Sequence, residues 1–254
     1  SPRIIALSPH AAELVFAAGA GDRLVGAVAH SDHPPPVRAL PRIGDSTRLD
    51  RERILALEPD LAIAWTTGNR EADLQWLESA GIEVYRSDPR RPEDVAADLE
   101  AVGERAGTPR RGRQAGEGFR GQLAQLRRRY AALEPVPAFY VLWDSPLMTV
   151  GGETLISRVM ALCGLRNVFA RVRADNLSPS PESLLTARPR VVVVPEGPGG
   201  AGPAPLWATV AWPGPAPAEI RIDPDLLHRP GPRLLEGVAR LCEARAGLEP
   251  PQAP

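Results

Sequence analysis

What this chain lacks removes several classes of function. No apolar run approaches the ~20 residues that a membrane-spanning helix needs. Positive charge is not in excess: 30 basic residues stand against 31 acidic ones, for a net charge of −1. Nothing therefore favours nucleic acid or an anionic membrane surface as partner. Lysine is absent, so every basic residue is arginine; with 29 prolines and 23 glycines this is the imprint of a GC-rich genome and not of a function. Catalytic signatures are missing as well: there is no GxSxG, P-loop, HExxH or GxGxxG. Asp32 and His33 are adjacent on an extended segment and point apart, so they make no acid–base pair. The two cysteines, Cys163 and Cys242, stand in no CxxC or other zinc-type spacing. They read either as buried thiols of an intracellular protein or as one disulfide of an exported one. The sequence starts at Ser1, directly before Pro2-Arg3-Ile4-Ile5-Ala6-Leu7, where either a mature secreted protein or a trimmed chain would begin, so the absence of a signal peptide decides nothing.

What the chain does have is a repeat. Arg51-Glu52-Arg53-Ile54-Leu55-Ala56-Leu57-Glu58-Pro59 leads into the apolar run Leu61–Ala64. Pro181-Glu182-Ser183-Leu184-Leu185-Thr186-Ala187-Arg188-Pro189 leads into Val191–Val194. Each copy reads as a short helix stopped by proline, followed by a buried strand. The copies lie about half the chain apart, too far for a solenoid, whose periods are ~20–50 residues. They predict two lobes of similar build facing each other across a cleft, each presenting one glutamate at an equivalent place.

Punctuation along the chain supports this. Arg3–Leu7 reads as a strand, and Ser8 with Pro9 opens a helix as N-cap and first helical residue. Leu24–Ala29, Leu61–Trp65 and Ile82–Tyr85 are further strands, and Glu71–Ala80 and Pro92–Ala106 further helices. Such alternation argues for a mostly parallel sheet covered by helices. From Arg110 to Leu133 the pattern becomes one polar, arginine-rich helix, weakened in its first half by Gly112, Gly116, Gly118 and Gly121 at ~1 kcal/mol each. The alternation restarts with strand Ala138–Trp143, helix Thr154–Leu162, strand Val191–Val194, a breaker-rich loop at Gly197–Pro203, a short strand Ile220–Ile222, helix Pro232–Arg245 and a frayed tail Leu248–Pro254. The domains expected are 1–108, a connecting helix 109–134, and 135–254.

These landmarks, in this order, resemble the cluster-A (helical-backbone) substrate-binding proteins of ABC importers, the group that carries cobalamin, haem and iron–siderophores. The resemblance is strongest to its cobalamin-binding branch. It rests on Leu7-Ser8-Pro9 with Glu13-Leu14, Ser31-Asp32-His33-Pro34-Pro35, Glu52-Arg53-Ile54 with Leu57–Leu61, Ile63-Ala64-Trp65 with Gly68-Asn69, Thr149 with Gly151, Cys163-Gly164 with Asn167-Val168-Phe169, Gly231-Pro232-Arg233 and Leu241-Cys242. It runs from Arg3 to about Cys242. The resemblance implies two Rossmann-like α/β lobes with parallel sheets, joined by one long helix, with a ligand between them. It implies a periplasmic or cell-surface protein, a monomer that binds no nucleic acid and has no intrinsic cofactor. Its ligand would be a corrinoid, cobalamin or cobinamide, or alternatively haem. Its partners would be an ABC permease and its ATPase, with Glu52 and Glu182 pairing with permease arginines. The cysteines of this family stand in the same two contexts, which implies a Cys163–Cys242 disulfide within the second lobe.

Candidate ligand contacts follow from position and from the resemblance. Trp65 ends a strand before the Thr66-Thr67-Gly68 loop, where the family packs an aromatic ring on the corrin. Trp143 ends the first strand of the second lobe and is expected to mirror Trp65. Asn176 falls near another family aromatic and departs from it. His30 and His33 flank a loop at a strand end; His30 takes the place of a ligand-side tyrosine and could serve as axial metal ligand through a neutral imidazole. His10 opens a helix nearby. Asp225 matches a family aspartate at the ligand's polar edge. Trp76 is expected in the core, and Trp207 and Trp212 either over the ligand or packed. A different class of protein sharing this lobe plan is an intracellular two-lobed metallocofactor enzyme. That alternative predicts reduced cysteines and an acid–base cluster, whereas the importer reading predicts a disulfide and aromatic contacts.

Overall fold

A computed structural model describes residues 1–45, 47–196 and 209–248. The predicted breaker-rich loop Gly197–Pro203, Trp207, and the tail beyond Leu248 lie outside the described residues. The first half runs β1 (Ile4–Ala6), α1 (Pro9–Ala17), β2 (Leu24–Ala27), α2 (Arg51–Ala56), β3 (Leu61–Trp65), α3 (Glu71–Ser79), β4 (Glu83–Ser87), α4 (Pro92–Arg105) and the long α5 (Pro109–Tyr130). The second half runs β5 (Val136–Tyr140), β6 (Trp143–Asp144), β7 (Leu147–Val150), α6 (Leu155–Leu162), β8 (Leu165–Asn167), β9 (Asn176–Leu177), α7 (Pro181–Ala187), β10 (Val191–Pro195), β11 (Ala218–Ile222), α8 (Asp225–His228) and α9 (Leu234–Ala246).

The repeat is realised as topology. One four-stranded parallel sheet has the order β2-β1-β3-β4, and the other, read in the same sense, is β8-β5-β10-β11. In both, the strand that follows the proline-stopped helix sits at the centre, beside the first strand of its unit. Burial on both faces explains its continuous apolar run: Leu61–Ala64 and Val191–Val194 are all buried. Helices cover the sheets. Ile5, Leu7, Ile43, Ile54, Leu74 and Leu77 form one core, with Trp76 packed against it as expected. Phe139, Val141, Leu184, Val192 and Val194 form another, with Trp212 against it.

Two compact units result. The first comprises residues 1–89, 93–122 and 229–232; the second comprises 90–92, 123–228 and the residues from 233 onward. Helix α5 is continuous across the boundary at Gln122–Leu123. Its glycines differ in role. A Cβ on Gly112 would lie 2.8 Å from Gly103 Cα and from the Leu99 carbonyl oxygen, and one on Gly116 would lie 2.8 Å from the Ala96 carbonyl oxygen. These two glycines let α5 approach the α4 backbone, whereas Gly118 and Gly121 face open space.

One local expectation is corrected. The strand read as Ala138–Trp143 ends at Tyr140, and the chain then enters a small antiparallel ribbon, β6-β7-β9. The expected disulfide is present: Cys163, the C-cap of α6, is bonded to Cys242 on α9, with Cα atoms 4.4 Å apart.

Candidate ligand-binding site

In an open parallel sheet, loops leave in opposite directions where the strand order reverses, and ligands bind at the strands' C-terminal ends there. In the first unit that point lies between β1 and β3. The β1 loop carries Ser8, whose extended backbone (φ −151°) and Oγ, accepting from the Ala11 N–H at 3.2 Å, cap α1. This places His10 in the first turn, where it is 1 % exposed with Nε2 3.4 Å from Ser8 Oγ. Burial, aided by the nearby Arg229 charge, pulls the imidazole pKa down to about 3, so the ring is neutral at physiological pH.

The β3 loop carries Trp65. Its indole is half-buried and meets the His10 ring edge-on. The ring lies over Gly68, where any Cβ would come within 2.0 Å of the indole. Asn69 fixes the turn: its Oδ1 accepts from the Trp65 backbone N–H at 2.7 Å, and its Nδ2 donates to the Leu7 carbonyl at 2.8 Å. The loops after β1 and β3 are thus tied together, with the aromatic ring held between support and solvent.

A cation organises the third loop. Arg229 Nη1 lies 2.5 Å from Asp32 Oδ1 and 3.7 Å from Glu13 Oε1, and Nη2 donates to the His30 carbonyl at 3.4 Å. Its side chain is only 12 % exposed. His30 takes a left-handed backbone (φ 64°) with its imidazole exposed, and His33 is half-buried. Sequence reasoning did not single out Arg229; it lies 197 residues from Asp32, and nothing in its neighbours announces the pair. Among the described residues no group of three or more His, Cys, Asp or Glu side chains could hold a metal ion.

The second unit places its candidates differently. Trp143 is 62 % exposed on β6, its Nε1 donating to the Ser145 carbonyl at 2.9 Å. It does not mirror Trp65. Trp65 closes β3 in register with Ser87, and the equivalent position closing β10 is Pro195, in register with Ile222. The first strand of this unit, β5, is the counterpart of β1, so Trp143 follows a strand of a different rank. Asn176 is exposed on β9, paired with Val150. Asp225 is half-buried, its N–H donating to Asp223 Oδ1 at 2.9 Å. His228, which sequence reasoning passed over, sits with Nε2 2.9 Å from the Tyr140 hydroxyl. Burial lowers its pKa to about 4 despite the opposing charge of Asp223, and burial also raises that of Tyr140.

Glu52 and Glu182 occupy equivalent places. Each is exposed in the first turn of its helix, beneath a cap: Asp50 Oδ1 accepts from the Arg53 N–H at 3.0 Å, and Ser180 Oγ from the Ser183 N–H at 3.2 Å. A carboxylate is favoured there by the helix dipole. Hydrogen bonds from its own backbone N–H and from Ser180 hold the Glu182 carboxyl below the usual range. Each helix turns back at a proline into the following strand. Both glutamates therefore stand at the level of the strands' C-terminal ends in their own units.

Known proteins share this architecture. The model of the periplasmic binding protein family matches residues 4–202. The vitamin B12-binding protein of Photorhabdus laumondii subsp. laumondii is 36 % identical over 241 residues, covering 95 % of this chain and 86 % of that protein. The crystal structure of periplasmic vitamin B12 binding protein BtuF of Vibrio cholerae superposes with a TM-score of 0.84 at 32 % identity, covering 96 % of each chain. A periplasmic heme binding protein from Pseudomonas aeruginosa superposes with a TM-score of 0.80 at 27 % identity, covering 100 % of this chain and 96 % of that one. By matched length, identity and fold alike, this chain belongs to the periplasmic binding protein family.

Proposed function

We propose that this chain is the exported capture subunit of an ABC importer for a corrinoid, cobalamin or cobinamide, which it binds without chemical change and delivers to a membrane permease and its ATPase. The observation that carries this reading is the near-full-length likeness to vitamin B12-binding proteins, in sequence and in structure. The site is compatible with it. Trp65 offers an apolar platform of the kind a large flat ligand stacks on. His30, His33, Trp143, Asn176 and Asp225 supply polar and aromatic contacts to its edges. His10 is assigned beneath Trp65 as support, because its ring is buried. Glu52 and Glu182 dock the permease.

Haem is the second reading, favoured by the exposed His30 imidazole and by the likeness to a heme binding protein. One experiment separates them. The protein is mixed separately with cobalamin, cobinamide and haem, then desalted, and the visible absorption of the protein fraction is read. Retention of a corrinoid in 1:1 ratio, with haem lost, supports the proposal; retention of haem alone overturns it.

A further inference from the structure

In the second unit, at the N-terminal ends of β5, β10 and β11, lies a cavity of about 380 Å³. Val136, Val191 and Ala218, the first residues of those strands, form its floor. Pro189, Pro215 and Pro217 form apolar walls, and no carboxylate lines it among the described residues. Two guanidinium groups do: Arg190, which is exposed, and Arg245, which is only 8 % exposed.

Arg245 is the anomaly. Its Nη2 donates to the Glu134 carbonyl at 3.0 Å, while its Nε–H is buried and has no acceptor. No acidic side chain pairs with it among the described residues. Arginine does not shed its proton in proteins, so burial cannot be relieved by neutralisation. A buried cation is ordinarily paired. The last turn of α9 and one carbonyl supply only partial negative charge.

We propose that this cavity is a second binding site, distinct from the Trp65 site, for a small amphipathic monocarboxylate. The carboxylate binds the Arg245 guanidinium, with Arg190 at the rim, and a short apolar tail lies against the prolines and valines. A fixed guanidinium matches the planar carboxylate geometry. The apolar walls argue against inorganic phosphate, which would leave them uncovered.

Calorimetric titration of the whole chain with hexanoate, hexanol and inorganic phosphate tests this. Hexanoate should bind saturably, with hexanol and phosphate each at least tenfold weaker. Arg245→Met, which keeps the unbranched stem and removes the guanidinium, should abolish hexanoate binding, and Arg190→Gln should weaken it a few-fold. Ala216→Phe should block entry while leaving Arg245 in place, and decides the matter if Arg245→Met does not fold. Cobalamin binding serves as a control for intact protein and should be unchanged in every variant. Equal binding of hexanol, absence of saturable hexanoate binding, or unaltered binding in Ala216→Phe would each overturn the site.

Discussion

The indole of Trp65 rests edge-on against the buried imidazole of His10, with ring centroids 5.1 Å apart and planes at 87°. The neutral ring below, the Gly68 turn alongside and the Asn69 bridge to Leu7 fix the orientation of the one above. An aromatic platform held in advance loses little freedom when a ligand arrives.

Trp65→Ala should therefore weaken corrinoid binding by ~1–3 kcal/mol, the range of a stacked aromatic platform, and Trp65→Phe by less. His10→Ala should weaken it through loss of support, with tryptophan fluorescence becoming more solvent-like. Titration calorimetry and emission spectra measure both. Wild-type affinity in Trp65→Ala would exclude the stacking role.

Acid should destabilise the fold through His10 and His228. Their folded pKa values, about 3 and about 4, lie below the 6.5 of the free side chain. Below pH 6.5 the unfolded chain takes up protons that the folded one refuses, so this stability is complete above 6.5 and is lost as pH falls toward 4 and then 3. The slope is at most about 1.4 kcal/mol per pH unit for each histidine. Urea unfolding at pH 7.5, 5.5 and 4.5 should show it, and His10→Gln and His228→Gln should each flatten it. A slope untouched by either substitution would refute the assignment.

Reduction of Cys163–Cys242 should lower stability without altering the fold. The bond closes a loop of 79 residues, for which chain entropy gives about 4–5 kcal/mol as an upper figure. The thermal midpoint with and without reductant, compared with Cys163→Ala/Cys242→Ala, reads the effect directly.

Glycines of α5 should respond in opposite directions. Gly112→Ala drives a methyl into the α4 backbone and should cost about 1–3 kcal/mol. Gly118→Ala and Gly121→Ala meet open space and should each gain up to ~1 kcal/mol of helix propensity. Denaturant midpoints of the three variants give the signs.

Glu52→Ala with Glu182→Ala should leave cobalamin affinity unchanged and abolish uptake through the cognate permease in reconstituted vesicles. Uptake at the wild-type rate in the double variant would remove the docking role.

The two-lobed α/β plan was legible because its signals are local. Proline after a short helix, glycine at helix ends, and apolar runs of strand length act over a few residues, and their recurrence half a chain later marks two like units. Glu52 and Glu182 were found equivalent on the same ground, since a helix's first turn is set by its own cap. Tertiary structure alone decided the rest. The Arg229–Asp32 pair joins residues with no sequence relation, and His228 becomes neutral because Tyr140 and the surrounding core exclude water. Cys163 and Cys242 could have remained thiols until α6 packed on α9. Gly112 reads as a weakness in a helix taken singly and becomes a contact surface only when α4 lies against it. Trp143 reads as the counterpart of Trp65 by its place after a strand, but strand order in the sheet shows which strand matches which. Local chemistry fixes elements; partners distant along the chain are fixed by packing, which spacing does not encode.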